Sequence, residues 1–205
     1  MKAAAVVLVL AACSGKVAID PTDRTAVLGA LNRDIPARMV SYLDFELRQV
    51  ANGIRPLTVD AIVPAGWVSS VPDDRYAAWL SPKAPSRLAP LDNVMALGVD
   101  CVGTCGAKDW PAVIAAEATR EVPDDGLLGD EPLPEGGRVR WGRRGNKATA
   151  YAAWAAPGDV QLRKCVVRLA ASTRPDRDVV DAIGVFAAAC KAARFTVGAT
   201  PRSGT

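Results

Sequence analysis

The chain of 205 residues contains no histidine. That absence excludes Ser-His-Asp and Cys-His catalysis, histidine general bases and every metal site that needs a histidine ligand. The charges also nearly balance. There are 25 Lys+Arg and 22 Asp+Glu, so the formal net charge is only +3. So small a charge argues against nucleic acid as a partner. The composition is 50% hydrophobic, which is enough to bury the core of one domain.

Motifs of the common enzyme classes are missing as well. The sequence has no G-x-S-x-G nucleophile elbow and no S-x-x-K pair. The segment from Gly142 to Lys147 lacks the G-K-[ST] ending of a phosphate-binding loop. We therefore expect a protein that is not an enzyme and that uses no cofactor and no metal.

The apolar run at the start, residues 3–10, is too short to span a bilayer, which takes about 20 apolar residues. It follows Lys2 and precedes small residues, a pattern typical of a secretory signal. The segment Leu10-Ala11-Ala12-Cys13 resembles the lipobox of bacterial lipoproteins. The alternative is a buried, alanine-rich helix that ends in a core cysteine.

The lipoprotein resemblance implies that Cys13 is lipidated and becomes the first residue of the mature chain. A diacylglyceryl group, often with an added N-acyl chain, anchors a protein stably, whereas a single chain binds only marginally. We therefore expect residues 1–12 to be a signal peptide and the protein to be exported and held at the cell envelope. In Gram-negative families an Asp after the cysteine marks retention at the inner membrane. Ser14 favours the periplasmic face of the outer membrane instead.

Four cysteines remain besides Cys13, namely Cys101, Cys105, Cys165 and Cys190. An even number in an exported domain indicates disulfides. Cys165 shares the apolar side of a predicted strand, residues 161–171, and Cys190 shares one face of a predicted helix. Both therefore point between the sheet and the helix, which favours a Cys165–Cys190 bridge.

Cys101 and Cys105 are then left to pair locally, as a staple of their loop. A second interpretation makes them a redox couple, because Cys105 lies just before a helix predicted to begin at Asp109 and a helix N-terminus lowers a thiol pKa. The C-x-x-x-C spacing differs from the C-x-x-C of thioredoxin-like motifs. The function alternatives therefore include a thiol–disulfide oxidoreductase.

Turn residues and apolar alternation predict an α+β fold, with an antiparallel β-sheet packed by helices. A helix is predicted from Asp34 to about Val50, followed by strands at residues 59–63, 67–71, 76–80 and 94–99. A second helix follows Asp109, a hairpin turns at Gly145-Asn146, and a closing helix occupies residues 176–194. We expect a tether at residues 13–33, a single domain at residues 34–197 and a flexible tail at residues 198–205.

The order of these elements resembles the PsbP-like α/β/α sandwich family. The shared features are the entry Ile62-Val63-Pro64-Ala65-Gly66-Trp67 into a strand, a middle helix, a three-strand meander and a closing helix. The resemblance covers residues 57–195. It implies a binding or assembly factor and carries over no catalytic residue.

Arginines form the most conspicuous surface pattern. Arg138, Arg140 and Arg144 fall on one face of a predicted strand, and Arg143 and Lys147 lie near the following turn. Such a stripe suits an acidic partner, a phosphate or a lipid headgroup, so an anionic-ligand or cell-wall binding module is a further alternative. An ordinary solvated outer face explains the same pattern.

Two other features have plain interpretations. The acidic residues of the segment 121–135 lack the spacing of a calcium-binding loop, which favours a stiff, exposed loop. The five tryptophans are more often core residues than a binding platform. Our leading expectation is therefore a lipid-anchored envelope protein that binds another protein, as an assembly factor or an immunity-type inhibitor.

Overall fold

The computed structural model describes residues 23–40, 43–52, 56–71, 73, 75–83, 93–100, 109–155, 159, 161–172 and 174–197. The helices are α1 (Arg24–Asp34), α2 (Trp110–Glu121), α3 (Arg174–Asp181) and α4 (Ile183–Lys191). The strands are β1 (Phe45–Ala51), β2 (Leu57–Pro64), β3 (Trp67–Ser70), β4 (Tyr76–Pro82), β5 (Val94–Asp100), β6 (Leu127–Pro132), β7 (Arg138–Arg144), β8 (Lys147–Trp154), β9 (Leu162–Ala170) and β10 (Arg194–Val197). A short 3₁₀ turn spans Pro134–Gly136.

The strands form two antiparallel sheets, which gives the α+β class predicted from the sequence. The larger sheet has the order β3-β4-β5-β9-β8-β7-β6, and the smaller has the order β1-β2-β10. Tight turns connect consecutive strands where glycine adopts a positive φ, as Gly66 (74°) does between β2 and β3 and Gly145 (61°) between β7 and β8.

Helices cover both faces of the larger sheet. On one face, α2 packs over β7 and β8 through Trp110, Ile114 and Ala118. On the other face, α4 packs across β7 and β8 and also reaches β2 of the smaller sheet. Phe186 of α4 marks that junction, since its ring lies 5.2 Å from the Phe45 ring and 6.1 Å from the Trp67 ring. We call the α2 side the outer face and the α4 side the inner face.

Side-chain caps fix where two helices begin. The Asp109 carboxylate accepts a hydrogen bond from the backbone N–H of Ala112 at 3.1 Å, and Pro111 occupies the first turn of α2. The Asp23 carboxylate does the same for the N–H of Ala26 at 3.0 Å in α1. The α2 start predicted at Asp109 is thereby confirmed.

The predicted helix from Asp34 to Val50 is wrong. The chain is helical before Asp34, in α1, and Ile35 is already extended, because the residue before a proline avoids the helical region. The segment from Phe45 onward is strand β1 and pairs with β2. Residues 24–33, which the sequence suggested as part of a tether, instead form most of α1, and Leu31 is buried.

Two further segments differ from expectation. The acidic loop predicted at residues 121–137 contains strand β6, which pairs with β7 at the end of the larger sheet. The predicted closing helix divides at Ala182 into α3 and α4, and its predicted last residue, Arg194, begins strand β10. The predicted tail at residues 198–205 lies outside the described residues.

A disulfide joins Cys165 of β9 to Cys190 of α4, as the sequence predicted. Both cysteines are completely buried in the inner core. Cys165 shares that core with Val167 and Leu169, and Cys190 shares it with Phe186, which are the apolar faces that the periodicity indicated. The bond fastens the C-terminal helix to the middle of the larger sheet.

Candidate functional site

The residues that carry the lipobox, ending in Cys13, and the pair Cys101 and Cys105 lie outside the described residues. Lipidation, a local disulfide and redox activity therefore stay predictions. No helix in the described part of the chain is long and apolar enough to span a membrane. The described residues also contain no group of three or more acidic or cysteine side chains placed to hold a metal ion.

The arginine face of β7 has the predicted register. Val139 is buried in the inner core and Trp141 packs against it, whereas Arg138, Arg140 and Arg144 point to the outer face. The outer face is not solvated along its whole length, however, because α2 covers its middle. Arg140 is only 3% exposed as a result.

Carboxylates of the acidic segment occupy the guanidinium groups of this face. Arg138 Nε and Nη2 donate to the two oxygens of Asp130 at 2.6 and 2.7 Å. Arg140 pairs with Asp124, and Arg144 lies 2.8 Å from Asp125. The acidic segment predicted to be a solvated loop is therefore the internal counter-charge of the arginine stripe.

Arg140 joins three elements in one network. Its Nη1 donates to Thr119 Oγ1 of α2 at 2.8 Å, and its Nη2 donates to Asp124. Its Nε has no hydrogen-bond partner among the described residues, although Asp130 Oδ2 lies 3.9 Å away. A buried guanidinium is costly unless paired, so this network ties α2, β7 and the turn at Asp124 together.

The Asp130–Arg138 ion pair also shifts the pKa values of both side chains. The hydrogen bonds from the Arg138 guanidinium hold the pKa of Asp130 below its ordinary value. The same bonds raise the pKa of Arg138. Asp130 is thus a carboxylate at neutral pH, and it compensates the arginine.

Arg143 belongs to the opposite side of β7. It pairs with Asp181 of α3 on the inner face, where Arg177 Nε also lies 3.9 Å from the same Asp181 oxygen. The four arginines singled out from the sequence are therefore not one surface. Arg138 and Arg140 are committed to internal pairs, Arg143 faces α3, and Arg144 is the most exposed, at 77% of its side chain.

The tryptophans do not form a common platform. Trp67 is buried in the inner core, and Trp110 is buried on the outer face, where its Nε1 donates to the Asp159 carbonyl at 3.0 Å. Trp141 and Trp154 pack against the inner core. Trp79 is partly exposed on the outer face and meets Tyr76 edge-to-face, with ring centroids 5.3 Å apart.

Two clefts open on the outer face, on either side of Arg140. One, of about 310 Å³, lies between the start of α2 and the 3₁₀ turn, with Pro111, Ile114, Gly137 and the Asp130–Arg138 pair in its walls. The other, of about 230 Å³, lies where α2 ends and includes Val122, Gly142, Arg144, Lys147 and Thr149. The sequence indicated the arginines but not the clefts, because these depend on where α2 crosses the sheet.

Among the described strands, β3 ends the larger sheet and none pairs with its outer edge, which differs from the ends formed by β6 and β1. Bulges, charges and prolines usually protect edge strands from pairing with foreign strands. β6 has a bulge between Leu127 and Gly129 and ends in Asp130-Glu131-Pro132, and β1 carries charged side chains. β3 has neither charge nor proline, and Val68, Ser69 and Ser70 are exposed.

The surroundings of this edge are partly apolar. Val68 is 46% exposed, and Ser70 lies opposite Trp79 in the register of β3 and β4. Arg48 of β1 donates to the Trp67 carbonyl at 2.8 Å, so the open stretch begins at Val68. We call residues 68–70 with the rings of Tyr76 and Trp79 the β3 surface. Sequence reasoning missed it, because edge position becomes visible only from strand order.

Comparisons with known proteins add a structural likeness. No family model matches the chain, and no curated protein matches it in sequence. Among solved structures, it is similar to the Ran-binding protein Mog1p of Saccharomyces cerevisiae, with a TM-score of 0.46 and 10% sequence identity. The likeness covers 75% of this chain and 96% of that chain. At that score and identity it carries no inference about the function of this chain.

Proposed function

We propose that the chain is an exported, lipid-anchored protein of the cell envelope that binds another protein and is not an enzyme. Export is supported by Leu10-Ala11-Ala12-Cys13 and by the Cys165–Cys190 bond, because disulfides persist in oxidising compartments. The partner is a component of an envelope assembly or an exported protein that the domain holds inactive.

The observation that carries protein binding is the edge of β3 with which no strand of the described residues pairs. The edge of an antiparallel sheet presents backbone N–H and C=O groups that an extended segment can pair with. β3 offers them without a charged side chain, a proline or a bulge. The partner segment adds as a further strand next to residues 68–70 of the larger sheet.

Side chains next to that edge supply selectivity. In strand addition, backbone bonds provide affinity and alternate side chains enter neighbouring pockets. Val68 and Ser70 share the outer face with Trp79. An incoming strand that places an aliphatic side chain beside Val68 covers apolar surface that is now exposed.

A paired substitution tests the surface. Val68→Lys places a charge on the edge, and Val197→Lys places the same charge on β10, where Val197 is 50% exposed. The full-length chain, immobilised, is exposed to envelope extract from its own source cell, and the affinity of any retained protein is then measured with both variants. We expect Val68→Lys to weaken binding at least about tenfold and Val197→Lys to leave it unchanged.

Two results would remove the proposal. Either no protein is retained by the unsubstituted chain, or Val68→Lys binds as tightly as Val197→Lys. A photoreactive residue at Ser69 adds a second readout, since the cross-link to the partner should form there and fail at another exposed position such as Thr196.

The anchor is tested separately by the intact mass of the exported protein. A diacylglyceryl mass on a chain beginning at Cys13 is expected, and an unmodified chain containing Cys13 would contradict lipidation. Peptide mapping along a series of reducing potentials reads the remaining cysteines in the same sample. A Cys101–Cys105 bond that opens far earlier than Cys165–Cys190 and re-forms readily would replace this proposal with thiol–disulfide exchange.

A further inference from the structure

The cleft where α2 ends has a cationic floor. On the outer face, β7, β8 and β9 place Gly142, Thr149 and Arg168 side by side, and the next row holds Arg144, Lys147 and Ala170. Neighbours in such a grid are roughly 5 Å apart across strands and roughly 7 Å apart along them. Three cationic side chains therefore surround the Thr149 hydroxyl.

Gly142 lets the wall of the cleft come close to this grid. A Cβ there would meet the Gly126 carbonyl oxygen at 2.8 Å and Val122 Cγ1 at 2.9 Å. The turn at Gly126 and the end of α2 therefore pack directly over the glycine. Val122 and Pro123 provide an apolar wall on that side.

The polar groups of the cleft are only partly used. Lys147 and Thr149 have no side-chain partner among the described residues. Arg144 has one, Asp125, and both are well exposed, at 77% and 58%. Exposed pairs of this kind are weak, so a better acceptor displaces Asp125 at little cost. Arg168 is half exposed and pairs with Glu121 at 2.6 Å.

The hairpin that carries these groups is held in place. Asn146 exchanges two bonds with Ala171, through its Nδ2 at 3.0 Å and its backbone carbonyl at 2.8 Å. Arg177 Nη1 donates to the Gly145 carbonyl at 2.6 Å. Arg144 and Lys147 thus project from a fixed tip, which lowers the ordering cost of binding a ligand.

From this arrangement we propose that the cleft binds a phosphate group. The Lys147 ammonium supplies a point charge, the Arg144 guanidinium donates two parallel bonds, and the Thr149 hydroxyl donates a third. Backbone carbonyls at the end of α2 repel an anion, so the phosphate sits on the sheet side of the cleft. This inference is independent of the β3 surface and of the anchor.

Inorganic phosphate is the first probe. It is titrated into the isotope-labelled full chain at constant ionic strength, and backbone amide shifts are followed by NMR. We expect saturable shifts at Arg144, Lys147 and Thr149. Shifts that grow linearly, or that spread evenly over the surface, would overturn the site.

Three variants make the assignment specific. Lys147→Gln should weaken phosphate binding about three- to fivefold, and Lys147→Gln with Arg144→Gln should weaken it at least about tenfold. Asp125→Asn removes the competing carboxylate and should strengthen binding about two- to threefold. Lys83 is the matched control, because it is exposed and has no partner among the described residues, and Lys83→Gln should change nothing. Equal effects of Lys147→Gln and Lys83→Gln would overturn the proposal.

A second experiment identifies the kind of molecule that carries the phosphate. Vesicles of phosphatidylglycerol are compared with vesicles of phosphatidylcholine, so that an acyl anchor contributes equally to both. A preference for phosphatidylglycerol that the double variant abolishes identifies a lipid headgroup. Binding of glycerol phosphate in solution with no such preference identifies a soluble phosphate ester. Failure of both probes refutes the site and leaves the protein-binding proposal untouched.

Discussion

At the scale of single residues, glycine and aromatic side chains are matched across neighbouring strands. Gly129 pairs with Trp141 in the register of β6 and β7, and Gly98 pairs with Tyr76 in that of β5 and β4. The ring lies where a side chain on the glycine would stand. A Cβ on Gly129 would meet Trp141 Cζ2 at 2.0 Å. Gly129 is therefore required by the ring that covers it, whereas a Cβ on Gly98 would first meet the Arg75 carbonyl oxygen, at 2.4 Å.

Gly129→Ala tests this requirement. Because the added methyl must push Trp141 against α4, we expect a loss of about 2–3 kcal/mol in the free energy of unfolding. Gly66→Ala is the control, since Gly66 has no atom within 4 Å of a new Cβ and loses only the positive-φ preference, about 1 kcal/mol. Urea unfolding measures both variants. A loss of stability for Gly129→Ala that is smaller than that for Gly66→Ala would show that Trp141 relaxes freely.

The acid sensitivity of the fold is argued from Asp130. Arg138 holds its pKa below the ordinary value in the folded state, so the stabilisation is complete above the unfolded pKa, about 3.9, and disappears as pH falls through the lower folded pKa. Below about pH 4, we expect the urea concentration at the unfolding midpoint to decrease, and to decrease less steeply in Asp130→Asn. Arg138→Gln should make the same decrease at low pH less steep. Parallel curves for all three chains would mean that the pair contributes nothing.

At the scale of elements, local sequence patterns predicted the helices and strands that are determined by residues close together in the chain. Alternation with flanking turns located β2 to β5 and the β7–β8 hairpin, and Asp109 with Pro111 located α2. The segment 34–50 failed because Met39, Leu43, Leu47 and Val50 have helical spacing by coincidence. Met39 and Leu43 are core residues of a turn and a loop, and Val50 lies on a strand.

The disulfide gives a prediction for β9 and α4. It closes a loop with a sequence separation of 25, which corresponds to about 3.5 kcal/mol in the chain-entropy model. We expect Cys165→Ala with Cys190→Ala to lose about that much in the free energy of unfolding. In the intact protein, reduction and alkylation should proceed only as fast as the core opens, since neither sulfur is accessible. Rapid reduction without unfolding would contradict this burial.

At the scale of the whole molecule, protection should decrease from the middle of the larger sheet outward. β5, β9 and β8 lie at its centre, with strands on both sides and apolar packing on both faces. Native-state hydrogen exchange should therefore be slowest in these strands and fastest in β3 and β10, which end their sheets. Slow exchange in β3 of the isolated protein would show that its edge is already covered.

The same scale explains which parts of the site the sequence predicted. The register of Arg138, Arg140 and Arg144 follows from strand alternation alone. Their partners do not, because the pairing of β6 with β7 brings Asp130, and the turn before β6 brings Asp124, onto arginines that the sequence left facing solvent. Lys147 and the exposed Arg144–Asp125 pair lie beyond those two contacts.

The burial of Cys165 and Cys190 also constrains the order of events during biosynthesis. Once α4 has settled on β9, no oxidant reaches either sulfur. The bond therefore forms before the C-terminal helix packs on the sheet. Chains that finish packing with free thiols stay less stable until the helix opens again. The yield of oxidised protein therefore depends on how fast the thiols oxidise relative to the packing of the helix.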